Sequence, residues 1–170
     1  MEILKAATDW AKAEVFSSSF FILFGVMFIL GTIGFWQLGK TELAKAFVIP
    51  TLVAGVLLLI IGVGLVYSNK SRLASFPTAY ESDASAFVQS EITRTEKTMA
   101  EFQTIVFKVI PLIIVAAALL IVFINKPIWR AIGITTIAMM VVIIMVDSTA
   151  NARLEAYSKQ LELLEKDLKK

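Results

Sequence analysis

Few side chains in this sequence are able to do chemistry. The chain contains no histidine and no cysteine, which removes the usual general base near neutral pH and every thiolate site for metal or redox chemistry. The remaining acids, lysines, serines and tyrosines form no tight group in the sequence. A protease or phosphoryl transferase of the bilayer would need such a group near the membrane surface. We therefore expect no enzymatic activity, no catalytic residue, no metal site and no cofactor.

Two charged residues lie close to long apolar stretches, where an isolated charge is costly. Lys108 is one turn into the third stretch, and Asp147 closes the fourth. If these stretches are antiparallel helices, the two residues have similar depth, and we expect an ion pair between them. The simpler role for that pair is to set the depth of the helices. A functional role is the alternative.

Glu14 and Glu101 occupy matching positions, just before the first and the third apolar stretch. In an oligomer they would form an acidic mouth at one face of the membrane. Ordinary solvated charge at the ends of helices is the simpler interpretation.

Small residues mark one face of the second apolar stretch. Thr51, Gly55 and Gly62 are spaced by four and seven residues, which places them on one side of an α-helix. Such faces let helix backbones approach closely in lipid. The face predicts either a contact with the first stretch of the same chain or an interface between subunits.

The elements that carry these residues are long apolar segments. Hydrophobic residues make up 58% of the chain and charged residues 18%, against about 45–50% and about 25% in soluble domains. Four stretches approach or exceed the roughly 20 helical residues that span a bilayer. We predict an all-α membrane protein, residues 1–170 forming a single membrane domain, with an up-down bundle of transmembrane helices at 16–39, 45–68, 105–125 and 128–146. Pro111 is expected to kink the third.

Lysine and arginine set the orientation, because they resist translocation. Twelve lie in the segments before the first span, between the second and third, and after the fourth, and four lie in the two short hairpin loops. This distribution predicts a multi-pass protein of the cell membrane with both termini in the cytoplasm. Trp10 then marks the inner interface, and Trp36 and Trp129 the outer one.

The cytoplasmic segments are predicted to be largely helical. We expect an interfacial helix at 1–15, a linker at 69–77 with a break at Phe76-Pro77, and a capping box from Thr78 to Glu81 that starts a helix at 78–104. Another helix is expected at 147–168. The last two carry heptad stripes and should pair as an antiparallel stalk that extends the third and fourth spans. The stripes are Val88, Ile92, Thr95, Met99, Phe102 and Val106, and Ala150, Leu154, Tyr157, Leu161, Leu164 and Leu168.

The pattern favours a membrane interaction protein, an accessory or scaffold subunit that acts as a homo-oligomer or with a partner membrane protein in the lipid bilayer. An oligomeric ion channel or small transporter is the alternative, and a membrane sensor with a cytoplasmic coiled stalk is the third. A net charge of +2 gives no electrostatic basis for binding nucleic acid.

Overall fold

A computed structural model describes the backbone of residues 2–168 and the side chains of residues 2–166. The side chain of Leu168, the last member of the second stripe, therefore lies outside the described part. Within that part the chain is helical, and four helical segments are long and apolar enough to cross a membrane: Glu2–Leu38, Glu42–Ser82, Ala84–Phe123 and Pro127–Lys166. This confirms the predicted all-helical architecture with four such segments. The elements are α1 (Glu2–Leu38), α2 (Glu42–Ala46), α3 (Val48–Ser82), α4 (Ala84–Thr104), a π-helical turn (Ile105–Val109), α5 (Ile110–Phe123) and α6 (Pro127–Leu168).

The long helices contact one another to very different extents. The most extensive contact is that of α1 with α3, and α6 packs on α1, α3, α4 and α5. By contrast, α5 packs mainly on α6 and the adjacent π turn, and it has no substantial contact with α1 or α3. The arrangement therefore leaves a gap between α5 and the α1–α3 pair, and α6 contacts the helices on both sides of this gap.

The predicted interfacial helix at 1–15 and the predicted span at 16–39 belong to one helix in the structure. α1 is one continuous helix of 37 residues, which is about 55 Å long at 1.5 Å per residue. This exceeds a hydrocarbon core of about 30 Å. The N-terminal turns are held by packing, since Ile3, Ala7 and Ala11 are buried against other helices.

The linker predicted at 69–77 is also helix in the structure. α3 runs through Pro77 to Ser82, so the break at Phe76-Pro77 and the capping box at Thr78 do not form. Tertiary packing outweighs the local effect of the proline, because buried Phe76 packs edge-to-face on Phe87 at 5.4 Å between ring centroids. The chain turns instead at Asp83, whose side chain caps α4 by accepting a hydrogen bond of 2.9 Å from the Ala86 N–H.

The third long segment is interrupted where Pro111 predicts a disturbance. Proline lacks the N–H that would bond to the carbonyl of Phe107, and its ring crowds that carbonyl. The backbone accommodates this in the π-helical turn Ile105–Val109, directly before α5. A π turn holds one residue more than an α turn. The faces of α4 and α5 are therefore rotated by about 100° relative to a continuous helix.

Buried apolar side chains form two clusters. One lies in the spans and contains Phe21, Leu58, Val142 and Val146 from α1, α3 and α6. The other, which we call the terminal cluster, draws on α1, α3, α4 and α6. Its members include Ile3, Ala7, Trp10, Phe76, Phe87, Val88, Ile92, Leu154, Tyr157 and Leu161. Residues of both predicted stripes thus lie in one core. Four helices contribute side chains to that core, whereas the predicted stalk consists of two helices.

Candidate functional site

Polar side chains collect at the terminal cluster, and Glu91 bonds to two of them, Arg94 and Tyr157. Glu91 is 5% exposed, and its carboxylate accepts two hydrogen bonds from Arg94, of 2.9 and 2.6 Å. The hydroxyl of Tyr157 donates a third, of 2.9 Å, from α6. Charge-assisted bonds of this kind offset the desolvation of a buried carboxylate. The bond from Tyr157 joins α6 to α4, whereas Arg94 lies on α4 together with Glu91.

Aromatic rings from α1 and α6 complete this polar group. Trp10 stacks on Tyr157 with centroids 5.2 Å apart and planes 11° from parallel. The guanidinium of Arg94 lies 4.3 Å from the centroid of the Trp10 ring, within cation–π distance. Burial and the negative charge of Glu91 raise the pKa of Tyr157, so its hydroxyl keeps its proton and remains a donor.

A second ion pair joins α1 to α6. Nε of Arg153 donates to Oε1 of Glu14 at 3.0 Å, and both side chains are partly buried. Glu14 therefore stabilises the contact of α1 with α6, and its charge is compensated within the chain. This role differs from the acidic mouth, which requires an uncompensated carboxylate.

A cavity of about 530 Å³ lies beside these polar residues, in the gap between α5 and the α1–α3 pair. Its walls are of two kinds. Apolar side chains of the spans line most of it, among them Phe21, Ile61, Leu65, Ile113, Met140 and Ile143. Polar side chains line the rest, among them Ser17, Ser18, Asn69, Arg72, Arg94 and Asp147. Pockets of 300–1,000 Å³ with apolar walls and a few polar groups are typical of small-ligand sites.

Arg72 is the cation of this cavity that lacks a carboxylate partner among the described side chains. Its NH1 donates to Oδ1 of Asn69 at 2.8 Å, and Asn69 is itself buried. Burial, and then the positive charge of Arg94, lower the pKa of Arg72. Two guanidinium groups therefore share one end of the cavity, and only that of Arg94 is paired with an acid.

The predicted Lys108–Asp147 pair does not form. Among residues 2–166 the ion pairs are Glu91–Arg94 and Glu14–Arg153. Lys108 is exposed in the π turn, and the rotation that this turn introduces explains why a straight-helix prediction misplaces it. Asp147 lines the large cavity and also a smaller one of about 150 Å³.

The acidic mouth predicted for Glu14 and Glu101 concerns an oligomer, and within one chain these two acids are not brought together. Glu101 is exposed and lines the smaller cavity, next to Asp147, whereas Glu14 lines the cavity of about 530 Å³ and is paired with Arg153. The two acids thus occupy separate surroundings in the protomer.

The small-residue face of α3 contacts α1 of the same chain. A Cβ added at Gly55 would lie 3.0 Å from the carbonyl oxygen of Gly25, and one at Gly62 would lie 2.9 Å from the backbone nitrogen of Ile22. The hydroxyl of Thr51 is 2.9 Å from that of Thr32 on α1. Of the two alternatives predicted for this face, the structure shows the intrachain contact.

Sequence reasoning missed the residues that matter most here, namely Asn69, Arg72, Glu91, Arg94 and Tyr157. Glu91 and Arg94 are three residues apart, which places them on one face of a helix, where they can pair. This spacing is the feature of the sequence that could have indicated the site. The contact of Glu91 with Tyr157 spans 66 residues and leaves no local trace. No group of three or more acids positioned to hold a metal ion occurs in the described residues.

Comparison with protein families, with curated proteins and with solved structures finds no match to this chain.

Proposed function

We propose that this chain is a non-enzymatic, multi-pass protein of the cell membrane that serves as an accessory or scaffold subunit, in a homo-oligomer or with a partner membrane protein. Both termini and the terminal cluster lie in the cytoplasm. The observation that carries the proposal is the isolation of α5. This helix has a single substantial helical neighbour, α6, and buries only Ile110 and Ala117.

The opposite face of α5 is apolar and continuous. Exposed residues recur there at spacings of three and four: Leu112, Val115, Ala116, Leu119, Val122 and Phe123. Two transmembrane helices associate by close packing, since lipid provides no hydrophobic drive between them. Ala116 gives this face a small residue near its middle. In our proposal the partner helix packs there, while the glycine face of α3 is already occupied by α1.

Cysteine crosslinking tests this surface, because the native chain has no cysteine. We expect Val115→Cys to crosslink in native membranes, either to a second copy or to a partner. Ile60→Cys is the matched control, since Ile60 is an exposed apolar residue of α3 on a face for which we propose no partner. If the two variants crosslink equally, or neither does, α5 faces lipid and the scaffold proposal loses its surface.

The channel alternative has little support from the described side chains. Conduction needs a continuous path lined by groups that replace the water around an ion. The hydroxyls of Thr32 and Thr51 lie 2.9 Å from each other, and each lies within hydrogen-bonding distance of the backbone carbonyl four residues earlier in the chain. Thr135 is buried without a partner among the described residues. The stretch of α6 that contains it, residues 131–146, has no charged side chain. The described side chains form no polar path from one end of the spans to the other.

Liposome flux separates the two functions. We expect purified protein to pass no more Na⁺, K⁺ or Cl⁻ than empty vesicles. Reproducible flux that Thr51→Leu abolishes would refute the scaffold proposal and favour the channel.

A further inference from the structure

The cavity of about 530 Å³ combines an apolar and a polar environment. Its apolar walls come from the spans, from Ile61 and Leu65 of α3 to Ile113 of α5. Its polar end lies where the charge-free stretches stop, at Asn69 and Arg72 of α3. A ligand that fills both parts must itself be amphiphilic. A small polar solute would leave the apolar walls without contacts, and a hydrocarbon would leave the polar end unsatisfied.

The charge of the polar end selects the headgroup. Arg94 is compensated by Glu91, and Glu14 by Arg153. Arg72 has four guanidinium N–H groups beyond the one that it donates to Asn69, and no described carboxylate pairs with it. The indole N–H of Trp10, which also borders the cavity, is buried and has no acceptor among the described residues. The polar end therefore offers hydrogen-bond donors and a cation to an incoming anion.

Two acids on the cavity wall could compensate Arg72, namely Glu14 and Asp147. Neither makes an ion pair with Arg72 within 4 Å. Burial lowers the pKa of Arg72 and the negative charges of Glu91 and Glu14 act in the opposite direction, but each of these acids is hydrogen-bonded to another arginine. Asp147 adjoins the smaller cavity beside Glu101. Separation of Asp147 from Arg72 leaves the guanidinium of Arg72 available to an anion.

The position of the cavity provides a route for a lipid chain. α5 and the α1–α3 pair do not close on each other, so side chains of Ile61, Ile110 and Ile113 border the same space. Ile105 and Val109 of the π turn line it as well, and π turns are frequent at functional sites. A guanidinium group matches the geometry of phosphate and carboxylate oxygens and can donate two parallel hydrogen bonds.

We infer that this cavity binds an anionic amphiphile, a lipid or lipid-like molecule whose phosphate or carboxylate headgroup is held by Arg72 and whose acyl chain lies between α3 and α5. This inference goes beyond the proposed scaffold role and does not depend on it, since the cavity lies within a single chain.

Tryptophan fluorescence tests the inference. The chain has three tryptophans, and replacing exposed Trp36 and Trp129 with phenylalanine leaves Trp10 as the reporter at the cavity. Protein in mild detergent is titrated with phosphatidylglycerol brominated on the acyl chain near the headgroup. Phosphatidylcholine with the same brominated chains is the lipid control. We expect the anionic lipid to quench Trp10 at a concentration about tenfold lower, since a hydrogen-bonded charge pair gives at least that discrimination.

Substitution then locates the headgroup. Arg72→Gln should abolish the preference for the anionic lipid, and Arg72→Lys should retain part of it. Lys70→Gln removes an exposed cation two residues away and should leave the preference unchanged. Helicity and melting of the three variants, compared by circular dichroism, separate loss of binding from loss of folding.

Several outcomes would overturn the inference. Equal quenching by the two lipids in the protein with Arg72 intact would do so whether or not the variants fold. An unchanged preference in Arg72→Gln would remove the headgroup from Arg72. Displacement of the brominated lipid by inorganic phosphate at the same concentration would reassign the site to a free anion, which has no acyl chain for the apolar walls.

Discussion

Leu161 offers the most direct test of the terminal cluster. Its side chain is 0% exposed, whereas Leu163, two residues later on α6, is 64% exposed. Leu161→Ala and Leu163→Ala make the same chemical change in one helix, with nearly the same effect on helix propensity. A difference in stability between the two variants therefore measures packing in the cluster.

The expected magnitude follows from the groups removed. Leucine to alanine deletes three carbon atoms, which at about 0.8 kcal/mol for each buried CH₂ gives about 2.4 kcal/mol. The cavity left behind raises the cost to as much as about 5 kcal/mol where the surroundings cannot collapse. Collapse is limited at Leu161, because helices α1, α3, α4 and α6 all contribute side chains to this core. Leu163→Ala should change stability by less than about 0.5 kcal/mol, as surface substitutions do.

Thermal melting in mild detergent, followed by Trp10 fluorescence in the Trp36→Phe, Trp129→Phe background, is the measurement. Trp10 stacks on Tyr157 in the same cluster, so its signal reports the loss of this packing while the apolar spans stay helical. We expect Leu161→Ala to lower the Tm by about 5 °C or more and Leu163→Ala to leave it within about 1–2 °C. Equal melting temperatures would show that the end of α6 is a free arm and would refute the packed cluster.

The hydrogen bond of Tyr157 and the orientation of the chain give two further predictions. Tyr157→Phe keeps the ring on Trp10 but takes a donor from buried Glu91, so urea unfolding in detergent should show a loss of about 1.5–3 kcal/mol. Tyr67→Phe, at a position 76% exposed, should cost close to nothing, and equal losses would contradict the buried network. An impermeant thiol reagent should label Thr41→Cys in intact cells and spare Ser85→Cys; external labelling at Ser85 would overturn the proposed topology.

Some of this fold is readable from the sequence because the physics is local. The charge-free stretches predict four helices of spanning length, since a bilayer requires internal backbone hydrogen bonding and apolar side chains over a fixed distance. Heptad stripes predict that α4 and α6 have buried faces, and Val88, Ile92, Leu154 and Leu161 are indeed buried. Periodicity indicates that a face is buried, but it does not identify what covers that face. It therefore missed the contributions of α1 and α3 to the terminal cluster.

The prediction failed where a local rule competed with a distant contact. Pro77 predicts the end of a helix, but Phe76 packs on Phe87 in the next helix, and that contact holds the backbone helical through the proline. Asp83 lies beyond Pro77 in the sequence, and its side chain caps the start of α4. Local sequence patterns cannot distinguish a helix end at Pro77 from one at Asp83, because the deciding interaction comes from α4.

The candidate site was missed for a related reason. Each of its charged residues, considered singly, resembles an ordinary solvated charge of the segments between the apolar stretches. Glu91 becomes a buried anchor because Tyr157 reaches it from α6. Arg72 is left without an acid because Glu91 and Glu14 are each engaged by other arginines. An unsatisfied charge is a property of the whole arrangement, and it becomes visible once every pairing in its surroundings is known.

Pro111 connects the two parts of the molecule that our proposals use. Because it cannot continue the hydrogen bonding of α4, the chain passes through a π turn, and the faces of α4 and α5 no longer align. Apolar side chains of α4 lie in the terminal cluster, whereas α5 packs on α6 near Ala117 and Gly133 and stays apart from α1 and α3. That separation opens the cavity on one side of α5 and leaves an apolar face on the other. One local interruption thus gives a single helix two free surfaces, of which the inner one suits an amphiphile and the outer one a partner helix.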